Sequence, residues 1–534
     1  MQGAFIQYIF LILIILGLVM FANRMRVAYP IILVLGGLVL SFTSSFNHVT
    51  IDPELVFFIF LPPLLYDAAW QVSWKEFWKW RRVITSFAFP IVIINSCVIA
   101  YFANAIIPGF SLALGFLLGG IISPPDAISA TTIMRRVKVP RAITSIVEGE
   151  SLLNDASSLI VFRFAIIAIL TGQFHFGEAA LSFFLVIIMG TLIGLLVGLV
   201  FYAIHRWLPT TPSIEIILTL VTPYCMYYAA EHFHFSGVLA VVSGGLFLSG
   251  KRQIMLTYRS RIEGVNVWSN LSFVLNGIVF LLIGLQMPAI TREFGDISVG
   301  DAVMYALMIS TVLIFARLMC TLGASAFTRV VSRFITVADS NPGWKGPIII
   351  GWAGMRGVVS LAMALSIPVT LETGEAFPYR SLILFITFIV ILVTLVFQGL
   401  TLPWVIRKVD PDDKYAVITP QKQETIIQKK MANVSLMRLQ EQLDGEKFNN
   451  EHLNNLYARL KLDLDYFSAE IEKTSNGDGN KLREFQMVYL DMLDRQRKLL
   501  HDMNRRAEFD EEIIRKYLGL IDIEEYKLRE KIGE

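Results

Sequence analysis

The sequence predicts an all-α membrane protein: about thirteen transmembrane helices arranged as inverted repeats, followed by an α-helical tail. The chain of 534 residues is 55% hydrophobic with a mean hydropathy of +0.59, more apolar than a soluble globular protein needs to be. Apolar runs of spanning length repeat as far as Lys408, separated by short loops. More than half of the acidic residues lie beyond Asp410. We therefore expect a transmembrane domain, residues 1–409, and a tail, residues 410–534.

Each predicted helix is one apolar run between two loops. The first lacks a basic leader and a small-residue cleavage site, so we expect a retained helix and not a signal peptide. The ninth is short and would have to be buried among its neighbours. Cys97, Cys225 and Cys320 lie inside apolar runs, which predicts small core residues and no disulfide. The predicted helices span residues 4–22, 28–46, 53–70, 83–107, 110–133, 144–170, 179–204, 213–233, 236–250, 264–287, 301–324, 346–370 and 380–406.

Lysine and arginine are concentrated in alternate loops, whereas the intervening loops hold little beyond Arg292 and Arg380. Because basic loops stay on the cytoplasmic side, the N-terminus is predicted outside the cell membrane (the inner membrane) and the tail in the cytoplasm. The basic residues form no extended face, so nucleic acid is not an expected partner. Lipid is an expected partner because the predicted helices are apolar and of membrane-spanning length. The basic loops hold Arg24 and Arg26; Lys75, Lys79, Arg81 and Arg82; Arg135, Arg136, Lys138 and Arg141; Arg206; Lys251, Arg252, Arg259 and Arg261; Arg329, Arg333 and Lys345; and Arg407 and Lys408.

Eight polar side chains fall within the predicted helices, where a charged group at the bilayer centre costs roughly 2.5–3.5 kcal/mol. Any one of them could belong to a salt bridge that merely locks helices together. Because they crowd into few helices, the set favours a transport pathway. They are Asp67, Asp126, Glu150, Asn154, Asp155, Arg163, Arg317 and Arg356.

The sixth predicted helix holds the densest polar cluster. Helical spacing places Ser151 and Asp155 on one face, and Glu150 and Asn154 on an adjacent one. The Asp155 carboxylate and the Ser151 hydroxyl can both offer oxygen to a small cation. Asn154 adds polarity without charge, and Glu150 is expected to face an arginine.

The fifth predicted helix is interrupted by residues 123–126, Ser-Pro-Pro-Asp. Pro124 and Pro125 remove two amide donors, so a break is expected, with a simple proline kink as the alternative. Unwound backbone at this depth, beginning at Ser123, is tolerated where it faces protein or a polar cavity. Asp126 can cap the positive N-terminal end of the second half-helix.

The twelfth predicted helix contains three glycines within residues 351–357, together with Arg356. If helices one to six and eight to thirteen are inverted repeats around the seventh, the fifth and twelfth helices correspond. Two interrupted helices in equivalent places predict a binding site at the membrane midplane. Arg356 would offset carboxylates and half-helix ends there.

Residues 147–156 read VEGESLLNDA, preceded by residues 123–126 and followed by Gly-Met-Arg-Gly at residues 354–357. This pattern resembles the NhaP-type and eukaryotic sodium/proton exchangers over the whole membrane domain. The resemblance implies thirteen spans, a dimerisation domain, a core domain with two broken helices that cross, and a homodimer. No cofactor is expected.

By resemblance, Asp155 is the ion-binding and proton-carrying carboxylate, with Ser151 and Asn154 beside it and Asp67 as another acid near the ion. Asp155 and Ser151 are the expected ligands of the transported cation.

The resemblance also implies a structural ion pair between Glu150 and Arg356. Many relatives have Thr or Val where this chain has Pro125. Any ligand from that position must therefore be a backbone carbonyl.

Together with these residues, the resemblance implies a secondary transporter, not an enzyme, that exchanges Na+ (with K+ or Li+ as alternatives) for H+. Burial disfavours the charged form of Asp155, so cation and proton would compete for it. Relatives with two adjacent aspartates are electrogenic, so Asn154 before Asp155 implies electroneutral one-for-one exchange. The alternatives are a cation channel or sensor, or a membrane-embedded metal hydrolase using Glu231, His232 and His234, whose spacing is poor for zinc on one helical face.

The tail shows helical periodicity, with breaks near residues 444–445 and 475–479. We expect a small helical bundle that packs on itself or on a dimer mate. A regulatory domain that responds to pH or a ligand is the alternative. The periodic leucines are Leu436, Leu439, Leu443, Leu453, Leu456, Leu460 and Leu464.

Overall fold

The computed structural model separates the chain into two compact units, Met1–Asp413 and Lys414–Glu534. Within the described residues the regular structure is helical, apart from one isolated bridge between Thr370 and Ala376. The residues described are 2–43, 56–137, 139–172, 176–292, 298–334, 337–339, 341–371, 375–413, 420–441, 451–473, 479–504 and 511–532.

Within the described residues, each of the thirteen predicted segments coincides with one helix or with two or three consecutive helical elements, which confirms the all-α fold. Residues 44–46 of the second predicted segment and 53–55 of the third lie outside the described residues. Within the described part, eight helices are long and apolar enough to cross a membrane, and shorter apolar helices run from Ile9 to Met25 and from Tyr29 to Ser41. The thirteen segments are Gln2–Met25, Tyr29–Ser41, Val56–Phe60 with Leu61–Gln71, Trp74–Ile106, Leu112–Ile122 with Ala127–Met134, Arg141–Thr171, Phe176–Trp207, Pro212–His232, Gly237–Met255, Tyr258–Leu285, Val299–Val331, Lys345–Trp352 with Val358–Leu365, and Arg380–Val409.

Local side-chain chemistry sets several helix boundaries. The Ser111 hydroxyl accepts a hydrogen bond from the Leu114 amide and so caps Leu112–Ile122. Gly172 ends Arg141–Thr171 in the left-handed conformation, at φ 67°, which glycine adopts at least cost. The ninth segment, Gly237–Met255, was predicted to be short and buried. It is buried, but at 19 residues it is longer than predicted.

Two glycines allow the second and tenth segments to cross closely. A Cβ on Gly37 would overlap the carbonyl oxygen of Leu281, and one on Gly284 would overlap that of Val34. Because small residues let helix backbones approach within a membrane, this crossing fixes the second segment against Tyr258–Leu285.

The two broken helices meet at their interruptions. The first consists of Leu112–Ile122 and Ala127–Met134, and the second of Lys345–Trp352 and Val358–Leu365. The Asp126 amide donates to the Met355 carbonyl at 2.7 Å, and Arg356 Nε donates to the Ile122 carbonyl at 2.8 Å. Each broken helix is the fifth member of its set of six, as inverted repeats require.

The tail unit contains four described helices, Pro420–Glu441, Glu451–Lys473, Gly479–Asn504 and Glu511–Ile532. Arg497 joins the last two through its contacts with Asp522 at 2.7 Å and Glu525 at 2.6 Å. Leu436 and Leu439 are buried. The predicted break at residues 444–445, most of the predicted break at 475–479, and Leu443 lie outside the described residues.

Candidate functional site

A cavity of about 540 Å³ lies against the crossing of the broken helices. Its walls come from Leu61–Gln71, the two broken helices, Arg141–Thr171 and Tyr258–Leu285. Four carboxylates but only two guanidinium groups line it, so its electrostatic potential favours a cation. The charged lining residues are Asp67, Asp126, Glu148, Asp155, Arg135 and Arg136.

Asp155 and Ser151 both face this cavity, as their one-turn spacing predicts. Asp155 is 7% exposed. The Ser151 Oγ accepts a hydrogen bond of 3.1 Å from the amide of Ala127, the first residue after the break. The arrangement therefore sets a carboxylate and a hydroxyl side by side, next to the start of a half-helix.

Asn154 lies outside the cavity lining and is fully buried. Its Nδ2 donates to the Pro125 carbonyl at 2.8 Å. One residue of helix turns the side chain by about 100°, so Asn154 points to the break while Asp155 points to the cavity. Asn154 therefore braces the break: its side-chain amide holds the interrupted backbone in place through the hydrogen bond to the Pro125 carbonyl.

Asp126 caps the second half of the first broken helix. Its Oδ1 accepts from the Ile128 amide at 3.3 Å, and its Oδ2 accepts from the Ser129 amide at 3.3 Å and the Ser129 hydroxyl at 3.0 Å. Gly357 of the second broken helix lies against this carboxylate, since a Cβ there would come within 2.8 Å of Asp126 Cβ and Cγ. The cap and the crossing therefore depend on each other.

Arg356 is fully buried and directs its guanidinium at backbone carbonyls. It donates to Ile122 at 2.8 Å, to Ser123 at 3.3 Å and to Gly354. These carbonyls lie at the C-terminal ends of two half-helices, where acceptors lack helical partners and the helix dipole is negative. Ser123 is likewise outside the cavity lining, and its Oγ accepts from the Ser96 hydroxyl at 3.1 Å.

Glu150 forms its ion pair with Arg317 and not with Arg356, so the pair that the resemblance implied is wrong. Arg317 Nη1 and Nη2 contact Glu150 Oε1 and Oε2 at 2.8 and 2.9 Å, and both side chains are 1% exposed. Arg317 thus occupies both oxygens of Glu150, while Arg356 serves the half-helix ends. The sequence marked Arg317 as a charge at membrane depth but gave no sign of its partner.

Asp67 lines the same cavity as Asp155 and is 8% exposed. Its Oδ2 accepts from the Ser272 hydroxyl at 2.6 Å and from Gln71 Nε2 at 2.9 Å. Neither partner was predicted. The spacing of Ser272 and Asn276 on one face of the tenth segment was the available signal.

The cluster considered for a metal hydrolase forms a structural link instead. Glu231 Oε2 contacts Arg163 Nη2 at 3.0 Å, and its Oε1 accepts from the Gly237 amide at 3.0 Å. Arg163 also donates to the His234 carbonyl at 3.3 Å. Both carboxylate oxygens of Glu231 are therefore engaged within the protein.

Comparison with known proteins identifies the family and the fold. Residues 10–408 match the family described as sodium/hydrogen exchanger, transmembrane. A sodium, potassium, lithium and rubidium/H+ antiporter of Bacillus pumilus is 34% identical over 416 residues, covering 75% of this chain and 61% of that protein. An uncharacterised Na+/H+ exchanger of Mycobacterium bovis is 30% identical over 511 residues, covering 95% of this chain and 93% of that protein.

A solved structure of the sodium proton antiporter MjNhaP1 from Methanocaldococcus jannaschii is similar in fold, with a TM-score of 0.58 at 15% identity. The likeness covers 77% of this chain and 100% of that chain, and it supports the all-helical fold. The predicted family and the prediction of a transporter, not an enzyme, are confirmed. The chain belongs to the sodium/hydrogen exchanger family of transmembrane cation/proton antiporters.

Proposed function

We propose that the protein exchanges Na+, with K+ or Li+ as alternative substrates, for H+ by alternating access at Asp155. The observation that carries this proposal is the position of Asp155, a buried carboxylate in a negatively lined cavity beside two crossing broken helices. Ser151 supplies a second oxygen ligand, and Asp67 on another wall supplies negative charge to the same space.

Competition for one carboxylate explains the exchange. An uncompensated charge is unfavourable in a buried site, so Asp155 holds either a proton or a cation. When the site opens to one side, the ion with the larger product of concentration and affinity there takes the carboxylate. Because binding of one ion excludes the other, each reorientation carries one cation or one proton. No resident cofactor is needed.

We propose a stoichiometry of one proton for one cation. Asn154 stands beside Asp155 but carries no charge, and its amide is committed to the Pro125 carbonyl. One titrating carboxylate in the binding step accounts for one proton per cycle. Such exchange moves no net charge across the membrane.

Asp155 lies on Arg141–Thr171, and this helix is linked to its neighbours so that they can move together as a rigid body. Asn154 ties Arg141–Thr171 to the first break, and Glu150 ties it to Val299–Val331 through Arg317. Asp67, by contrast, bonds to Tyr258–Leu285 through Ser272. A displacement between these two groups of helices would change the access to Asp155 without dismantling either of them.

We further propose a homodimer in the cell membrane, with the N-terminus outside and a cytoplasmic helical tail. The alternating loop charges support the orientation. Trp74 and Trp78 are exposed and stacked at 5.7 Å, and Arg81 lies 4.5 Å from the Trp78 ring centroid. All three lie in the first turns of Trp74–Ile106, at the end that the loop charges assign to the cytoplasmic face. Aromatic and basic side chains of this kind anchor a helix at the membrane interface.

The decisive experiment measures proton flux in vesicles reconstituted with the purified protein. A pH-sensitive dye reports the response to inward gradients of Na+, K+ and Li+ across a range of pH. We expect exchange with the wild type and none with Asp155→Asn, while the variant keeps the wild-type melting temperature. Proton flux through folded Asp155→Asn would refute the site, and an inactive wild type with every cation would refute the function.

A further inference from the structure

The cavity extends from Asp155 toward one end of Arg141–Thr171. Among the described residues of this helix, those that line the cavity all lie at or before Asp155 in the chain. They are Glu148, Ser151, Leu152 and Asp155. Arg135 and Arg136 also line the cavity and are exposed, so the cavity reaches the surface at the end of the helix that the loop charges assign to the cytoplasm.

On the other side of Asp155, Arg163 bonds to a neighbouring pair of helices. It lies about two turns of helix beyond Asp155, which corresponds to about 12 Å. Its Nη2 contacts Glu231 Oε2 at 3.0 Å, and its Nη1 donates to the His234 carbonyl at 3.3 Å. Glu231 Oε1 in turn accepts from the Gly237 amide at 3.0 Å. Arg163 is therefore bonded to the connection between the eighth and ninth segments.

The eighth and ninth segments belong to the group of helices that does not carry Asp155. Trp268 Nε1 of the tenth segment donates to Thr219 Oγ1 of the eighth at 3.0 Å. Ser249 Oγ of the ninth segment donates to the Trp70 carbonyl of the third at 2.9 Å. The third and tenth segments are the two that the hydrogen bond of Asp67 joins. The contacts of the arginine therefore cross the boundary between the two groups of helices.

The exposure of this ion pair suits a contact that breaks and forms again. The side chains of Arg163 and Glu231 are 45% and 25% exposed, so water compensates part of the loss when they separate, and such pairs are weak. The pair of Glu150 and Arg317 is 1% exposed and lies within one group, where separation would leave buried charges uncompensated. The strong pair is thus inside one group of helices, and the weak pair lies between the two groups.

We propose that Arg163, Glu231 and the His234 carbonyl form an outer gate, which closes Asp155 to the outside in this conformation and opens before the site faces outward. Apolar contacts between packed helices tolerate small sliding displacements, whereas the bonds of Arg163 have to break. This inference rests on the proposed exchange function, and it assigns to that function the contact that controls which side of the membrane the site faces.

The first test measures KM for Na+ on each face, in right-side-out and in inside-out membrane vesicles. Removal of the gate contact favours the outward-facing state, so for Arg163→Gln we expect KM on the outer face to fall about two- to fivefold and KM on the cytoplasmic face not to fall. The charge exchange Arg163→Glu with Glu231→Arg should return the outer KM toward the wild-type value. Arg259→Gln is the matched control, because Arg259 pairs with Glu263 at 2.7 Å within one helix.

The second test locks the gate. Arg163→Cys and Glu231→Cys are combined in a chain in which Cys97, Cys225 and Cys320 are replaced by alanine, and a reducible bifunctional thiol reagent joins the two introduced thiols. The cross-linked protein should lose exchange and recover it on reduction. Each single variant treated with the same reagent should keep its exchange activity.

An unchanged outer KM in Arg163→Gln, a fall of the same size in Arg259→Gln, or full exchange by the cross-linked protein would overturn this inference. None of these results would touch the proposed function, which fails only if the wild type does not exchange or if folded Asp155→Asn does.

Discussion

The buried contact between Glu150 and Arg317 predicts a large and specific loss of stability when one partner is removed. Arg317→Met leaves the Glu150 carboxylate buried with neither of its two contacts, at 2.8 and 2.9 Å. Removing one member of a buried ion pair typically costs about 3–5 kcal/mol. Since both side chains are 1% exposed, water screens the remaining charge little, so we expect the upper half of that range.

A double-mutant cycle measures how much of this cost belongs to the pair. The free energy of unfolding is determined by denaturant titration in detergent for Arg317→Met, Glu150→Gln and the double variant. The double variant should recover about 2 kcal/mol or more relative to the sum of the single losses, because both charges are then absent. Transport in vesicles, measured on the same samples, shows whether the folded variants still exchange.

Arg356 provides the matched control for this cycle. Its guanidinium donates to the carbonyls of Ile122, Ser123 and Gly354. Arg356→Met should therefore destabilise the protein by leaving these buried carbonyls without donors, and it should couple more weakly to Glu150→Gln. If Glu150 coupled more strongly to Arg356 than to Arg317, or if the losses at Glu150 and Arg317 simply added, the assignment of the pair would be wrong.

Three further predictions follow from the packing and the charge balance. Gly284→Ala should lower the melting temperature because its Cβ would overlap the Val34 carbonyl, whereas Gly323→Ala, with no atom within 4 Å of its Cβ, should not; equal melting temperatures would contradict the close crossing. Asn154→Leu should cost about 1–3 kcal/mol and slow exchange because the Pro125 carbonyl loses its donor; wild-type unfolding and exchange would refute the brace. Reconstituted protein on a planar membrane should give no sustained current, and a current that follows voltage would exclude one-for-one exchange.

The sequence was sufficient for the elements that depend on neighbouring residues. Apolar runs separated by short loops located all thirteen segments, because a helix that crosses a bilayer needs a long apolar stretch. Pro124 and Pro125 located the first break by removing amide donors. The one-turn spacing of Ser151 and Asp155 placed both on a common face, which the cavity lining matches.

Contacts between distant helices were decided by the tertiary structure alone. Glu150 and Arg317 are 167 residues apart, and Asp67 and Ser272 are 205 apart. Helical periodicity says which way a side chain points but not which helix packs against that face. Charge alone allowed either Arg317 or Arg356 as the partner of Glu150. Choosing between the two arginines required the positions of the three helices that carry these side chains.

The sequence by itself thus determined that Asp155 is a carboxylate on a membrane helix and that the fifth helix is interrupted, because composition, proline chemistry and helical spacing act over a few residues. Only the tertiary structure decided that Asn154 braces the break, that Arg317 neutralises Glu150, and that Arg356 caps two half-helices. Those roles follow from the packing of helices that are far apart in the chain, where the low dielectric of the interior requires every buried polar group to find its partner.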